Sequence, residues 1–115
     1  GFLNKEKLIR NLNTSDVFIL PSKYDGWGVV ITEAMASGLP VIGTKYTSAF
    51  NDLIIDGYNG KRCDPYSVES IKKSMLYYIN NKSKIRSHGK KNINIVLKSL
   101  CNSQRAANYL INKVK

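Results

Sequence analysis

Apolar residues fall into two kinds of pattern along this chain. In the first half they come in short unbroken runs; in the second half they recur at helical spacing. Val17-Phe18-Ile19-Leu20 has no polar alternation, which predicts a strand covered on both faces, as in a parallel sheet. Pro40-Val41-Ile42-Gly43 reads as a second strand and Lys61-Arg62-Cys63 as a weaker third. Between the first two, the Ala-rich apolar stretch over residues 28–37 predicts a helix, closed by Gly38 as its C-terminal cap. Strand, helix and strand with short joints make a βαβ unit, right-handed by default. Ahead of it, Asn4 can cap a helix over residues 5–13, with Leu3 and Leu8 as a hydrophobic staple and Leu8, Ile9 and Leu12 as its buried stripe. Ser15-Asp16 breaks that helix. Residues 44–60 read as loop, with a short helix near Ala49–Ile54 and a turn cluster, Asp56-Gly57-Tyr58-Asn59-Gly60.

The second half is predicted to be helical. Asp64 serves as an N-cap with Pro65 at the first helical position. Val68, Ile71, Met75 and Tyr78 then form one core-facing stripe, ending at Asn80-Asn81. Ser83 can cap a second helix through about residue 97, and Asn102 or Ser103 a last one with Ala106, Leu110 and Val114 on one face. The expected class is α/β: a small Rossmann-like parallel sheet followed by C-terminal helices. Three parallel strands leave sheet edges exposed unless something pairs with them, so the sheet is expected to continue in sequence outside this chain.

Charge changes the picture by its distribution. Residues 1–60 hold five Lys/Arg against six Asp/Glu, whereas residues 61–115 hold thirteen against two, giving the net +10. A basic half suggests an anionic partner such as a membrane surface, polyphosphate or nucleic acid; the plainer reading is a general bias toward Asn, Ile and Lys. After Tyr78 the sole aromatic is Tyr109, which counts against stacking on single strands and so against a nucleic-acid partner. No run approaches the roughly 18 apolar residues that mark a membrane span. Cys63 and Cys101 are spaced unlike metal ligands and are expected to be free thiols in a reducing cytosol. A chain that opens on Gly1 reads as a piece of a longer one.

Candidate chemistry is concentrated in Asp25-Gly26-Trp27-Gly28-Val29 and the helix after it. In open α/β sheets, ligands bind beyond the carboxyl ends of the strands, where the loop over residues 21–28 lies. The helix that follows points its N-terminus there, and free N–H groups around Trp27, Gly28 and Val29 suit a phosphate. Gly26 and Gly28 let the backbone approach it closely. Glu33 lies roughly 7 Å further along the axis, at about 1.5 Å per residue. A carboxylate there can accept both vicinal hydroxyls of a ribose. Asp25, at the mouth, could accept hydroxyls from a second sugar. The plain alternatives are Asp25 as a turn or capping residue, Glu33 as a solvated helix position and Trp27 as core. Lys45 is a candidate phosphate contact, though a solvated lysine is the simpler reading. His88, between Arg86 and Lys90, reads as a surface residue without a catalytic role.

Pro21-Ser22-Lys23-Tyr24-Asp25-Gly26-Trp27-Gly28 and then Glu33-Ala34-Met35-Ala36-Ser37-Gly38-Leu39-Pro40-Val41-Ile42 resemble the retaining GT-B glycosyltransferases of the group 1 type. That family carries an acidic pair with seven residues between its members, as Asp25 and Glu33 do. The likeness continues through Asp52-Leu53-Ile54 and Asn59-Gly60 to Asp64-Pro65. It implies the later part of a C-terminal, Rossmann-like donor-binding domain over residues 1–98. It also implies a helix over residues 99–115 that returns toward a missing N-terminal domain. By the resemblance the substrate is a nucleotide-diphosphate-sugar. Glu33 would bind the ribose and Asp25 the donor sugar, with Gly26, Trp27, Gly28 and Val29 presenting amides to sugar and diphosphate. Aspartate in place of the usual glutamate at position 25 shortens the reach by one methylene. The transfer would retain anomeric configuration by stabilising the leaving diphosphate and an oxocarbenium-like sugar, with no metal or other cofactor. The acceptor would be a saccharide or a lipid-linked one, at the cytoplasmic face of a membrane, in polysaccharide or lipopolysaccharide synthesis. The alternatives are a GT-B-like epimerase or phosphorylase, against which the acidic pair with Gly-Trp-Gly argues, and a non-catalytic basic module.

Overall fold

A computed structural model describes residues 4–23 and 26–114, the side chains of Lys5 and of residues 103–114 excepted. Leu3 and Asp25 lie outside the described residues, so the staple and the first acid of the pair have no structural account. Helix α1 is Lys5–Asn13, strand β1 is Phe18–Ile19 and helix α2 is Val29–Ala36. Strand β2 (Val41–Gly43), helix α3 (Ser48–Leu53) and strand β3 (Gly60–Arg62) follow. Helices α4 (Val68–Asn80) and α5 (Lys82–Val114) complete the chain. All three strands are parallel, in the order β1-β2-β3, with Phe18 beside Val41 and Val41 beside Gly60.

The strands are shorter than the apolar runs, but the runs still decide the core, because successive side chains leave a strand on opposite faces. Phe18, Leu20 and Val41 face a cluster with Leu12, Ile31, Met35 and Phe50 from α1, α2 and α3. Val17, Ile19 and Ile42 face Cys63, Ile71, Tyr78 and Ile85. Helix α5 serves both faces: Ile85 packs on the second cluster, and Ile95 and Val96 on the first.

Asn4 caps α1 as expected, its Oδ1 accepting from the Lys7 N–H at 2.9 Å. Leu8 and Leu12 face the core, but Ile9 is exposed. Gly38 ends α2 at φ +80°, a left-handed turn suited to glycine.

Four expectations are corrected. Asp64 does not cap α4: it makes a turn of its own, Oδ1 accepting from the Tyr66 N–H at 2.9 Å, and Ser67 caps the helix by accepting from the Ser70 N–H. The face of α4 that meets the sheet therefore runs through Ile71, Ser74 and Tyr78, while Val68 is 84% exposed and Met75 46%. The break between residues 97 and 102 does not occur; α5 is continuous over 33 residues. Asn102 and Ser103 are weak helix formers rather than breakers, and no Gly or Pro lies near them. His88 is buried, not on the surface, its Nδ1 2.7 Å from the Tyr78 hydroxyl. The signal for it was present: Ile85, His88, Asn92 and Ile95 repeat at helical spacing, but the flanking cations obscured it.

Helix α5 approaches α2 closely because position 89 is glycine. A methyl there would collide with the Gly38 carbonyl. Next to it, the buried Asn92 donates to the carbonyls of Leu39 at 2.7 Å and Asn59 at 3.0 Å, and accepts from the Asn59 side-chain amide at 2.9 Å. Asn59 Nδ2 also donates to the Leu53 carbonyl, and its Oδ1 accepts from the Ile55 N–H. One asparagine pair thus joins α5, the end of α3, the turn before β3 and the turn after α2.

Candidate functional site

The site is built where β1 and β2 end and α2 begins. Gly28 is the N-cap of α2 at φ +84°, and it offers no side chain to accept from the first N–H groups of the helix. The Ile31 N–H turns back to the Gly28 carbonyl at 3.0 Å, while the Val29 and Val30 N–H groups have no backbone partner among the described residues, at an exposed surface, Trp27 being 47% and Val29 60% exposed. Trp27 is therefore not a core residue.

The turn is held from behind by α3. The Ser48 N–H donates to the Gly26 carbonyl at 3.1 Å and the Ala49 N–H to the Trp27 carbonyl at 2.8 Å. A trans peptide is planar, with its C=O and N–H opposed, and there is no cis peptide bond among the described residues. Fixing the Gly26 and Trp27 carbonyls onto α3 thus directs the N–H groups of Trp27 and Gly28 away from it. Neither has a backbone partner among the described residues. The methyl of Thr47, the N-cap of α3, packs on Gly28 so tightly that a β-carbon at position 28 would sit 2.5 Å from it. The loop carbonyls have taken the ordinary role of an N-cap hydroxyl, and the fully buried Thr47 Oγ1 has no hydrogen-bond partner among the described residues.

Glu33 lies on the exposed side of α2, not among the buried residues of that helix. Ile31, Ala34 and Met35 take the core-facing positions. Among the described residues the ion pair is Lys61 with Asp56, so the Glu33 carboxylate is unpaired. The structure thus brings together the Gly26-Trp27-Gly28-Val29 turn and Glu33 on one short helix. Lys45 is exposed, its ammonium 5.4 Å from the centre of the Tyr46 ring. His88 lies elsewhere, against Tyr78, and burial, with Lys91, Lys84 and Lys61 nearby, pushes its pKa down. Cys63 is a buried free thiol whose pKa burial pushes up, with Asp64 adding to the effect; Cys101 is free and exposed. Among the described residues, no cluster of His, Cys, Asp or Glu has the makings of a metal site, and no helix is long and apolar enough to cross a membrane.

The sequence profile of the family described as "Glycosyl transferases group 1" matches residues 1–99. The chain belongs to the group 1 glycosyltransferases. Among curated relatives, a sucrose synthase of Melioribacter roseus is 34% identical over 65 residues, covering 56% of this chain but 8% of its own length. A solved sucrose-phosphate synthase from Thermosynechococcus elongatus superposes on all of the chain with a TM-score of 0.79 at 20% identity, over 30% of its own length. The C-terminal domain of LpcC, a group 1 glycosyltransferase from Francisella tularensis, matches 85% of the chain with a TM-score of 0.73 at 26% identity. This chain covers half of that domain. The parallel α/β arrangement is that of part of a GT-B glycosyltransferase. The group 1 chain therefore spans a minor part of the length of each of these full-length proteins.

Proposed function

We propose that this chain is the later part of the C-terminal, donor-binding domain of a retaining group 1 glycosyltransferase, and that it supplies half of a nucleotide-diphosphate-sugar site. One arrangement carries the reading. An uncapped helix start, with its turn amides directed outward, lies one and a half turns ahead of an exposed, unpaired carboxylate. The amides of Trp27, Gly28 and Val29 stabilise the diphosphate, including the charge it gains as the glycosidic bond breaks. Glu33 holds the ribose hydroxyls by charge-assisted hydrogen bonds. Asp25, ahead of the turn, takes the donor sugar. In this reading the diphosphate leaves without a metal ion, and the acceptor, a saccharide or a lipid-linked one, is bound by an N-terminal domain outside this chain. Exposed lysines such as Lys72, Lys73 and Lys84 suit an anionic membrane at the cytoplasmic face, where a lipid-linked acceptor would be met in polysaccharide or lipopolysaccharide synthesis.

The test is calorimetric titration of the full-length enzyme with UDP, GDP and ADP, repeated with Glu33→Ala. One of the three nucleotides is expected to bind, and the substitution to weaken it by about 1.5–3 kcal/mol, the worth of hydrogen bonds to a charged group. Undiminished binding would remove Glu33 from the site. The 115-residue chain alone is expected to transfer no sugar.

A further inference from the structure

The loops that follow the three strands meet in a second cluster, beside the turn at Gly28. The Thr44 hydroxyl, after β2, donates to the Ser22 carbonyl, after β1, at 2.7 Å and accepts from the Tyr46 N–H at 3.2 Å. Those two bonds hold the backbone of Tyr46 in place. Its ring meets the ring of Tyr66, from the loop after β3, edge to face with 6.1 Å between centroids. Two ammonium groups frame the pair: Lys23 lies 4.9 Å from the centre of the Tyr66 ring and Lys45 5.4 Å from that of Tyr46. Each strand-end loop thus supplies part of one cluster, although its members are spread along the sequence.

Tyr66 is 65% exposed and Tyr46 38%, although rings of this size gain most from being covered. Among the described residues neither phenol hydroxyl has a hydrogen-bond partner and neither ammonium meets a carboxylate. The cluster therefore presents outward what recognises a charged sugar: ring surface for the apolar face of a pyranose, hydroxyls for its hydroxyl groups, and cations for a carboxylate or phosphate on it. A nucleobase would also stack on such rings, but the donor reading puts the base elsewhere. Tyr46 precedes Thr47, whose methyl packs on Gly28, and Lys23 stands two residues ahead of Asp25. The cluster accordingly flanks the turn on the side given to the donor sugar, whereas the ribose and its base go with Glu33, further along α2.

We propose that Tyr46 and Tyr66, with Lys23 and Lys45, form a subsite for an anionic saccharide: a sugar residue of the acceptor that carries a carboxylate or a phosphate. The proposal rests on the reading of α2 and its turn as a donor site. It adds to that reading a contribution of this domain to acceptor choice, alongside the N-terminal domain. A pyranose covers the exposed ring of Tyr66, its hydroxyls meet the two phenols, and its charged group meets the lysines. The ammonium groups are held beside the rings by cation–π attraction, so they are in place before the ligand arrives and less side-chain freedom is lost on binding. An acceptor sugar seated there lies beside the donor sugar rather than beside the base.

The experiment applies the full-length enzyme to an array of immobilised glycans that are neutral, uronate-bearing or phosphorylated. Charged glycans are expected to be retained, and whether the uronates or the phosphorylated ones bind identifies the anionic group. Tyr66→Ala and Tyr46→Ala are each expected to weaken that retention about tenfold, the worth of roughly one aromatic contact. Lys23→Ala with Lys45→Ala is expected to abolish the preference for charged over neutral glycans. Calorimetric titration with UDP, GDP and ADP is expected to be unchanged by any of these substitutions. Failure here is therefore distinct from failure at Glu33, whose substitution lowers nucleotide binding and leaves the array unchanged. No retained glycan, retention that does not favour charged glycans, or retention indifferent to both tyrosines would overturn the proposal. Nucleotide affinity lost with Tyr46→Ala or Tyr66→Ala would assign the rings to the base. A lower melting temperature with unchanged retention would assign them to a contact between domains, and either result overturns it equally.

Discussion

The turn at Gly28 can be tested as a sum of two separable terms. Gly28→Ala forces an L-residue to φ +84° and brings its methyl within 2.5 Å of the Thr47 methyl. Left-handed backbone costs a residue with a β-carbon about 1–2 kcal/mol. Overpacking against a short, buried, β-branched side chain that has nowhere to swing adds about 1–3 kcal/mol. The expected loss is therefore about 2–5 kcal/mol. Two other glycines in the same chain isolate the terms. Gly57 has φ +81° but open space around its hypothetical β-carbon, so Gly57→Ala reads the backbone term alone; Gly26 has open space and no positive φ, so Gly26→Ala reads neither. All three substitutions stiffen the unfolded chain alike, and that contribution cancels in the differences. Urea denaturation followed by circular dichroism should rank the losses Gly28 above Gly57 above Gly26. A double-mutant cycle completes the test. Thr47→Ser keeps the hydroxyl and removes the colliding methyl, so in its presence Gly28→Ala should cost about as little as Gly57→Ala, a coupling of about 1–3 kcal/mol. A Gly28→Ala loss no greater than that of Gly57→Ala, or a coupling near zero, would refute the account of how α3 braces the site.

Further outcomes are expected elsewhere. Thr47→Val replaces a buried hydroxyl that has no partner among the described residues by a methyl of similar shape and should leave stability unchanged or raise it by about 1–2 kcal/mol, measured by the same urea melts. Because the folded chain holds His88 below the ordinary imidazole value of 6.5, the unfolded chain takes up that proton first. Stability should accordingly be complete above that value and fall as the pH drops through 6.5 toward the lower folded value; melting temperatures between pH 8 and pH 5 (about one to two units either side of the imidazole range) should lose that slope in His88→Gln. Asn92→Ala strips partners from Asn59 and from the Leu39 carbonyl and should cost about 2–4 kcal/mol, seen as a lower urea midpoint.

Much of the fold was legible because its cues are local. Asn4 and Gly38 sit where a cap and a left-handed turn are required, and the apolar runs at 17–20 and 41–43 could only be covered strands. The site was legible as a stretch but not as a geometry. Two glycines around Trp27 announce a close backbone approach, yet nothing local says that α3 would turn their carbonyls backward. Glu33 faces solvent because its helical neighbours Val29 and Ala36, though apolar, are themselves exposed, while Ile31, Ala34 and Met35 take the core side of the helix. The stripe on α4 was misjudged for a related reason. Val68 and Met75 have core-like spacing, but burial depends on what lies opposite, and opposite Met75 is an open groove beside β1.

The asparagine pair at positions 59 and 92 bears on how the molecule opens. Were α5 to fray inward from its far end, each turn lost before Asn92 would release only its own contacts. Loss of the turn at Asn92 would at once orphan the Leu39 carbonyl ahead of β2 and the Asn59 carbonyl ahead of β3. Opening past that point is therefore cooperative with the sheet itself. Amide hydrogen exchange should divide α5 into two foldons: a distal one that exchanges by local fluctuation, and a proximal one, around residues 85–92, that exchanges only when β2 does. Since β2 also carries the loop that leads into α3, the brace behind Gly28 would share the lifetime of the slow unit and not that of the helix end.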